Sequence, residues 1–392
     1  KIKSIAKDAA DLGIELFVLD DGWFGTRDND DSSLGDWFVN EEKIQGTLND
    51  LAKDINEMGL KFGLWFEPEM ISPKSKLYEG HPDWCIHVPG RTRNQARKQL
   101  ILDLSREEVC DAIIKMLKDV LKSAPISYVK WDMNRNMTEI GSSNLPRERQ
   151  KEVAHRYMLG LYRIMETITS EFPEILFESC SGGGGRFDGG MLYYMPQTWA
   201  SDDTDAIERL KIQYGTSLVY PISSMGSHVS AIPNHQLYRN TPLETRANVA
   251  YFGTFGYELD PTKLSEEEKI QIKQQINFMK TYRQIIQYGS FYRLKSPFKN
   301  LESAWMVVSP DQKTALVAYF RPLQEVNVGY RRIKLTGLNP NFNYHNEYAN
   351  TNHFGDELMN LGLITTDASS SEHNMQFKQG DYLSRIYLLK AK

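Results

Sequence analysis

Cysteine is scarce. Three residues, Cys85, Cys110 and Cys180, occur in 392, an odd number without the spacing of a metal site. That excludes a disulfide-built scaffold and predicts a reducing compartment. Long apolar runs are missing, since none approaches the roughly 18–20 residues of a membrane span, so no membrane partner is expected. Neither sign of charge dominates: 46 Lys and Arg stand against 51 Asp and Glu, a net charge of −5 with no basic stripe. Nucleic acid is therefore not an expected partner. Histidine is rare at 8 residues, only His228 and His235 fall near predicted strand ends, and no HxH or HExxH occurs. No metal site is predicted. The nucleophile elbow GxSxG and the phosphate loop GxxxxGK[ST] are absent too, so serine acyl transfer and nucleotide binding are set aside, and no cofactor is expected.

What is present is ordinary globular composition with a surplus of rings. Hydrophobic residues make up 41% and charged residues 25%, with a mean hydropathy of −0.49. A chain of this length buries a large core and divides into two or three domains, or one large barrel with an accessory. Aromatics reach 11%, with 7 Trp, 20 Tyr and 17 Phe. Such rings stack on sugars and on bases alike, and the acidic balance argues against bases. Lys1 is not an initiator Met, and Ile2, Ile5, Ala9 and Leu12 recur at helical spacing. The sequence reads as beginning inside an amphipathic helix, with an upstream segment expected.

Strands and helices then alternate. Buried strands are predicted at Leu16–Asp20, Lys61–Phe66, Ser127–Asp132, Ile175–Glu178, Gln197–Asp202, Leu218–Ser223 and Gly256–Asp260. Helices are predicted at 46–58, 106–123, 147–171 and 264–287, the last opening on acidic residues that suit the positive end of the helix dipole. The apolar run Gln99–Leu104 is placed in an excursion between a strand and its helix. Alternation of this kind implies a parallel sheet. Seven strands, with one more before Lys1, complete an α/β (β/α)8 TIM barrel whose first strand is missing from the chain. After Pro297 the pattern changes to short strands at 303–321, 327–336 and 381–390, separated by Pro, Gly and Asn turns. The predicted division is a catalytic barrel over 1–295 and a small C-terminal β-sandwich domain over 296–392.

Six of the seven strand ends carry acids: Asp20 and Asp21, Glu67 and Glu69, Asp132, Glu178 with Cys180, Asp202 and Asp203, Glu258 and Asp260. A barrel gathers its chemistry at the C-terminal ends of its strands, so these acids are expected to converge. Some will instead cap the helices that follow. In Val129-Lys130-Trp131-Asp132, alternation puts Lys130 and Asp132 on one face. A cation there would lower the pKa of the carboxylate and suit Asp132 to act as a nucleophile, unless the two form a structural ion pair. Glycoside hydrolysis needs two carboxylates flanking a glycosidic bond in an aromatic, hydroxyl-binding pocket. The run Ser181-Gly182-Gly183-Gly184-Gly185 either lets backbone approach a ligand closely or is a plain flexible loop.

The segments LDDGWFGTR (19–27), LWFEPEM (64–70), KWDMNR (130–135), ESCSGGGGRFDGG (178–190), WASDDTDAIERL (199–210) and YPISSMGSHVSAIPNHQ (220–236) resemble the α-galactosidases of glycoside hydrolase family 36, and the resemblance runs over about residues 1–390. It implies a retaining α-galactosidase acting on melibiose- and raffinose-type sugars through a covalent galactosyl-Asp intermediate. Asp132 would be the nucleophile and Asp202 the general acid/base. Asp20, Asp21, Lys130 and Asn134 would hold ring hydroxyls, with Trp65, Arg97, Cys180, Gly182 and Trp199 completing the pocket. Asp20 and Asp21 would select the axial 4-hydroxyl of galactose. The family carries an N-terminal β-sandwich domain and a first barrel strand that this sequence lacks, and it makes a cytoplasmic homo-oligomer the expected state. Other readings of the same residues are an α-N-acetylgalactosaminidase, a galactosyl-transferring relative, and a non-catalytic sugar-binding fragment.

Overall fold

The computed structural model describes residues 1–326, 330–365 and 380–392. The chain folds as two compact units, Lys1–Trp199 and Ala200–Lys392.

In the first unit, helix α1 (Ile2–Leu12) turns Ala6, Ala9 and Leu12 inward, as its spacing predicts. Strand β1 (Leu16–Leu19) follows, then α2 (Leu48–Glu57) and β2 (Lys61–Phe66). Helix α2 starts where the Thr47 hydroxyl accepts the Asp50 N–H, a side-chain cap that satisfies one of the orphan donors of the first turn. Strand β2 is buried along its whole length after Lys61, so it reads as a continuous apolar run instead of an alternating one. Helix α3 (Glu107–Ser123) leads to β3 (Tyr128–Trp131), α4 (Val153–Glu171) to β4 (Leu176–Ser179), and β5 (Gln197–Trp199) closes the unit. The first four strands pair in parallel in chain order, and β4 pairs in parallel with β5. Helix α3 buries Val109, Cys110, Ile113, Ile114, Leu117, Val120 and Leu121, each large aliphatic side chain worth about 1.5–3 kcal/mol in transfer. The excursion predicted at 99–104 is present as a short antiparallel pair, Met70–Ile71 with Leu100–Ile101.

In the second unit, α5 (Ala206–Thr216), β6 (Met225–Ser230), α6 (Leu243–Ala250) and β7 (Thr254–Glu258) continue the repeat, with β6 and β7 again parallel. Helix α7 (Glu266–Tyr288) opens on a reciprocal cap in which the Ser265 hydroxyl accepts the Glu268 N–H and the Glu268 carboxylate accepts the Ser265 N–H. An antiparallel sheet follows: β8 (Ser290–Lys295), β9 (Ser303–Val308), β10 (Thr314–Arg321), β11 (Asn343–Asn346), β12 (Thr351–Phe354) and β13 (Leu383–Ala391), in the spatial order 8-9-10-13-11-12. Strands β9 and β10 are almost entirely buried. Within the predicted strand 327–336, residues 327–329 lie outside the described residues and only Arg332–Ile333 is extended.

A parallel β/α repeat followed by an antiparallel sheet is the predicted architecture, a (β/α)8-class barrel fold with a C-terminal β region. One strand is misplaced in the sequence reading. Leu218–Ser223 is not a strand: Leu218 and Val219 stand 60% and 75% exposed, Pro221 breaks the run, and Ile222–Ser224 forms a short 3-10 turn. The sixth strand is the polar Met225–Ser230 instead.

Candidate active site

Four strand ends of the first unit converge through register. Trp65 of β2 pairs with Lys130 of β3, which pairs with Glu178 of β4. The ladder runs on past the strands, because the Asp132 N–H donates to Phe66 O and the Cys180 N–H to Trp131 O, both at 2.7 Å. Glu67, Asp132 and Cys180 therefore emerge side by side. In a barrel, alternate strands share a layer of side chains, which is how Lys130 on β3 reaches Asp20 at the end of β1 (Nζ–Oδ2, 2.8 Å).

Asp132 is 6% exposed and holds four N–H donors. Its Oδ1 accepts Met133 N–H at 2.8 Å and Gly182 N–H at 3.3 Å. Its Oδ2 accepts Asn134 Nδ2–H at 2.8 Å and Trp65 Nε1–H at 3.2 Å. These bonds fix the plane of the carboxylate. Gly182 adopts φ +52°, in the left-handed region where a side chain is strained, and this turn aims its N–H at Asp132. The predicted cation for Asp132 is a correction: Lys130 forms its ion pair with Asp20, and Asp132 is held by neutral N–H groups. Burial pulls the Lys130 ammonium down, yet the neighbouring Asp20 and Glu178 carboxylates carry it above the usual lysine range.

The other predicted residues of this unit divide. Asp20 accepts from Lys130 and from the Asp21 N–H (2.8 Å) and remains well exposed. Asp21 is gripped by the buried Arg27 guanidinium, Nε–Oδ1 at 3.0 Å and Nη2–Oδ2 at 2.8 Å. Trp65 is 2% exposed and packs near Phe24 and Trp37, so its N–H is what it offers the cluster. Cys180 is buried, and burial first, then the Asp132 charge, push its thiol far up. Trp199 is buried at the end of β5. Arg97 stands exposed on the loop before Leu100 with φ +51°, and its charge is felt at Glu67.

Behind this layer lies a network that joins two of the predicted strand-end acids to partners that sequence reasoning missed. Glu69 is fully buried, takes both Nη groups of Arg186 at 2.8 Å, and accepts the Tyr157 hydroxyl at 2.5 Å and the Trp131 N–H at 2.9 Å. Burial raises its pKa, but Arg186 and the two neutral donors outweigh that and hold it below the usual range. Glu178 accepts Tyr128 O–H at 2.5 Å and Gln197 Nε2–H at 3.0 Å. Glu69 and Glu178 stand among the predicted strand-end acids, whereas the one local signal for Arg186 is its place just after the glycine run.

In the second unit, Asp202 is exposed on the segment between β5 and α5. Asp205 caps α5, accepting Ile207 and Glu208 N–H at 3.0 and 3.1 Å. It also accepts Arg239 Nη1 at 2.6 Å. Of the predicted strand-end acids, Asp260 is one that serves as a cap, accepting the Thr262 N–H at 3.1 Å.

Residues 1–289 match the melibiase family model, and residues 302–389 match the C-terminal domain model of glycosyl hydrolase family 36. The α-galactosidase AgaA of Geobacillus stearothermophilus is 61% identical over 391 residues, covering 100% of this chain and 52% of that protein. α-Galactosidase 1 of Pediococcus pentosaceus is 51% identical over 391 residues, with the same coverage. The crystal structure of AgaA superposes with a TM-score of 0.96 at 61% identity, covering 100% of this chain and 53% of that one. A variant of AgaA in complex with raffinose gives 0.96 at 60% identity with the same coverage. This chain spans about half the length of the curated relatives it matches.

Proposed function

The chain belongs to the melibiase family of glycosyl hydrolases, family 36, and from that premise we propose that it carries the catalytic machinery of a retaining α-galactosidase acting on raffinose- and melibiose-type sugars. Asp132 attacks the anomeric carbon while Asp202 protonates the departing oxygen. The C–O bond to the leaving group breaks, a galactosyl–Asp132 ester forms, and water activated by Asp202 then hydrolyses that ester. Retention by this route requires the two carboxyl groups to lie about 5–5.5 Å apart. Esterification removes the charge of Asp132, which lowers the pKa of Asp202 and lets the same group serve as acid and then as base.

The observation that carries the reading is the fixed carboxylate of Asp132, held in one plane by four N–H donors from β2, from its own loop and from Gly182. A nucleophile held this way loses little entropy on reaching attack geometry. Asp20 and Asp21, still partly exposed beside Lys130 and Arg27, are the acceptors for galactose hydroxyls. A glucoside would leave one of them short of a donor, a loss of about 1.5–3 kcal/mol for a hydrogen bond to a charged group. The catalytic domain in this reading is 1–295 and the C-terminal domain 296–392, a division that the separate family matches support. Three free buried thiols support a cytoplasmic location, and a homo-oligomer is the state proposed.

The test is hydrolysis of an aryl α-galactoside by the protein at its natural length. Asp132→Asn should lower kcat by at least about a thousandfold with little change in galactose affinity. Near-normal turnover by that variant would reject Asp132 as nucleophile, and preference for an N-acetylgalactosaminide would redirect the substrate assignment.

A further inference from the structure

Glu67 has no task in the displacement just described. It follows β2 directly and its side chain is completely buried. One oxygen, Oε1, accepts the Asn134 N–H at 2.5 Å. The other, Oε2, is buried without a hydrogen-bond partner among the described residues, and the Asn134 side-chain amide is the nearby donor that favours the charged form. The charged groups facing it are Asp132 from the end of β3 and, from the exposed loop before Leu100, Arg97. Glu69, two residues on, is committed to Arg186, Tyr157 and Trp131. An ionised carboxylate in this setting would leave a charged oxygen unsatisfied and add a second anion beside Asp132. A neutral acid fits the same space: its carbonyl oxygen accepts from Asn134 and its hydroxyl carries no charge.

We infer that Glu67 is a positioning residue for Asp132, working as an uncharged acid that anchors Asn134, whose side-chain amide in turn holds the Asp132 carboxylate. The inference rests on Asp132 being the nucleophile. Asn134 is the link, because its backbone N–H is on Glu67 while its Nδ2–H is on Asp132 Oδ2 at 2.8 Å. Burial first, and the Asp132 charge second, raise the Glu67 carboxyl to about 8. Once it ionises, it becomes the stronger acceptor, competes for the Asn134 amide and loosens the nucleophile.

The experiment measures kcat/KM for α-galactosyl fluoride against pH in the natural-length protein. Fluoride departs without a proton, so the alkaline limb of this profile does not report the general acid. Wild-type activity should fall above about pH 8, and Glu67→Gln should lose that limb or move it up by at least one pH unit. Glutamine keeps a neutral acceptor for Asn134, so it should retain most of the activity that Glu67→Ala loses, which is on the order of a hundredfold for a misplaced reacting group. Melting midpoints of both variants accompany the kinetics, and if the Ala variant does not fold, the Gln profile decides alone. Superimposable profiles for wild type and Glu67→Gln overturn the inference. So does a Gln variant that folds normally yet is as impaired as the Ala variant. Absence of any turnover by wild type overturns the proposed function and this inference together, whereas an unmoved profile in an active enzyme overturns the inference alone.

Discussion

Arg186→Met separates the two charges of the buried network behind the site. The guanidinium meets Glu69 edge to edge, both nitrogens at 2.8 Å. The carboxylate is 0% exposed while the arginine side chain is 12% exposed. Methionine preserves most of the aliphatic volume and removes the charge, so packing loss is small and the electrostatic loss dominates. Leaving a buried carboxylate without its cation costs about 3–5 kcal/mol, a large share of the roughly 5–15 kcal/mol that a domain has in total. Tyr157 and Trp131 still donate to Glu69 and keep the penalty toward the lower end. Removing the second charge as well, in Arg186→Met with Glu69→Gln, should recover about 2 kcal/mol or more.

The assay is urea unfolding followed by tryptophan fluorescence, which Trp131 inside the network reports, compared by midpoint at constant slope. The pH dependence has a definite sign. In wild type the Glu69 carboxyl is held below its ordinary range, so its contribution is present above that range and is lost as pH falls. In Arg186→Met the shift reverses, and the penalty should shrink on acidification as Glu69 takes a proton. A cost under about 1 kcal/mol, or a double variant whose loss equals the sum of the singles, would refute the reasoning.

Glu67 makes the opposite stability prediction: its carboxyl is raised from 4.5 to about 8, so its contribution is whole below the unfolded value and is lost as pH climbs to about 8. At about 1.4 kcal/mol per pKa unit the loss is on the order of 3–5 kcal/mol. Unfolding free energies of Glu67→Gln should therefore gain on wild type between about pH 5 and 8, and parallel curves would contradict a neutral Glu67. The cysteines should be inert in the native state, because burial pushes Cys85 to about 12 and Cys110 to about 11 and drives Cys180 up as well. Iodoacetamide at mildly alkaline pH should add no mass to native protein and three adducts to unfolded protein, and rapid native labelling of Cys180 would show that its thiol is reachable and ionisable.

Most of the fold could be read where burial acts on both faces of a strand. Lys61–Phe66 has the predicted bounds, since the residues after Lys61, FGLWF, form an unbroken apolar run. Met225–Ser230 was invisible for the converse reason. Its serines satisfy polar partners, Ser227 Oγ on Gln213 at 2.8 Å and Ser230 Oγ on the Thr204 carbonyl at 3.0 Å, so hydropathy passed over it for the neighbouring LVYPIS. Site residues divide along the same line. Alternation placed Lys130 and Asp132 on one face, but it could not name the partner of Lys130, which lies 110 residues away at Asp20. Nor could any local pattern join Arg186 to Glu69 across 117 residues. Strand periodicity fixes a direction, and only the register of the folded sheet supplies the neighbour.

Asp132 takes its hydrogen bonds from an indole on one strand, an amide on its own loop and a backbone nitrogen beyond a third strand. Anyone wishing to retune this site by loop grafting inherits that arrangement. A donor loop carrying KWDMNR alone would arrive with its carboxylate unsupported on two sides, so the transferable module is the three adjoining strand ends moved together.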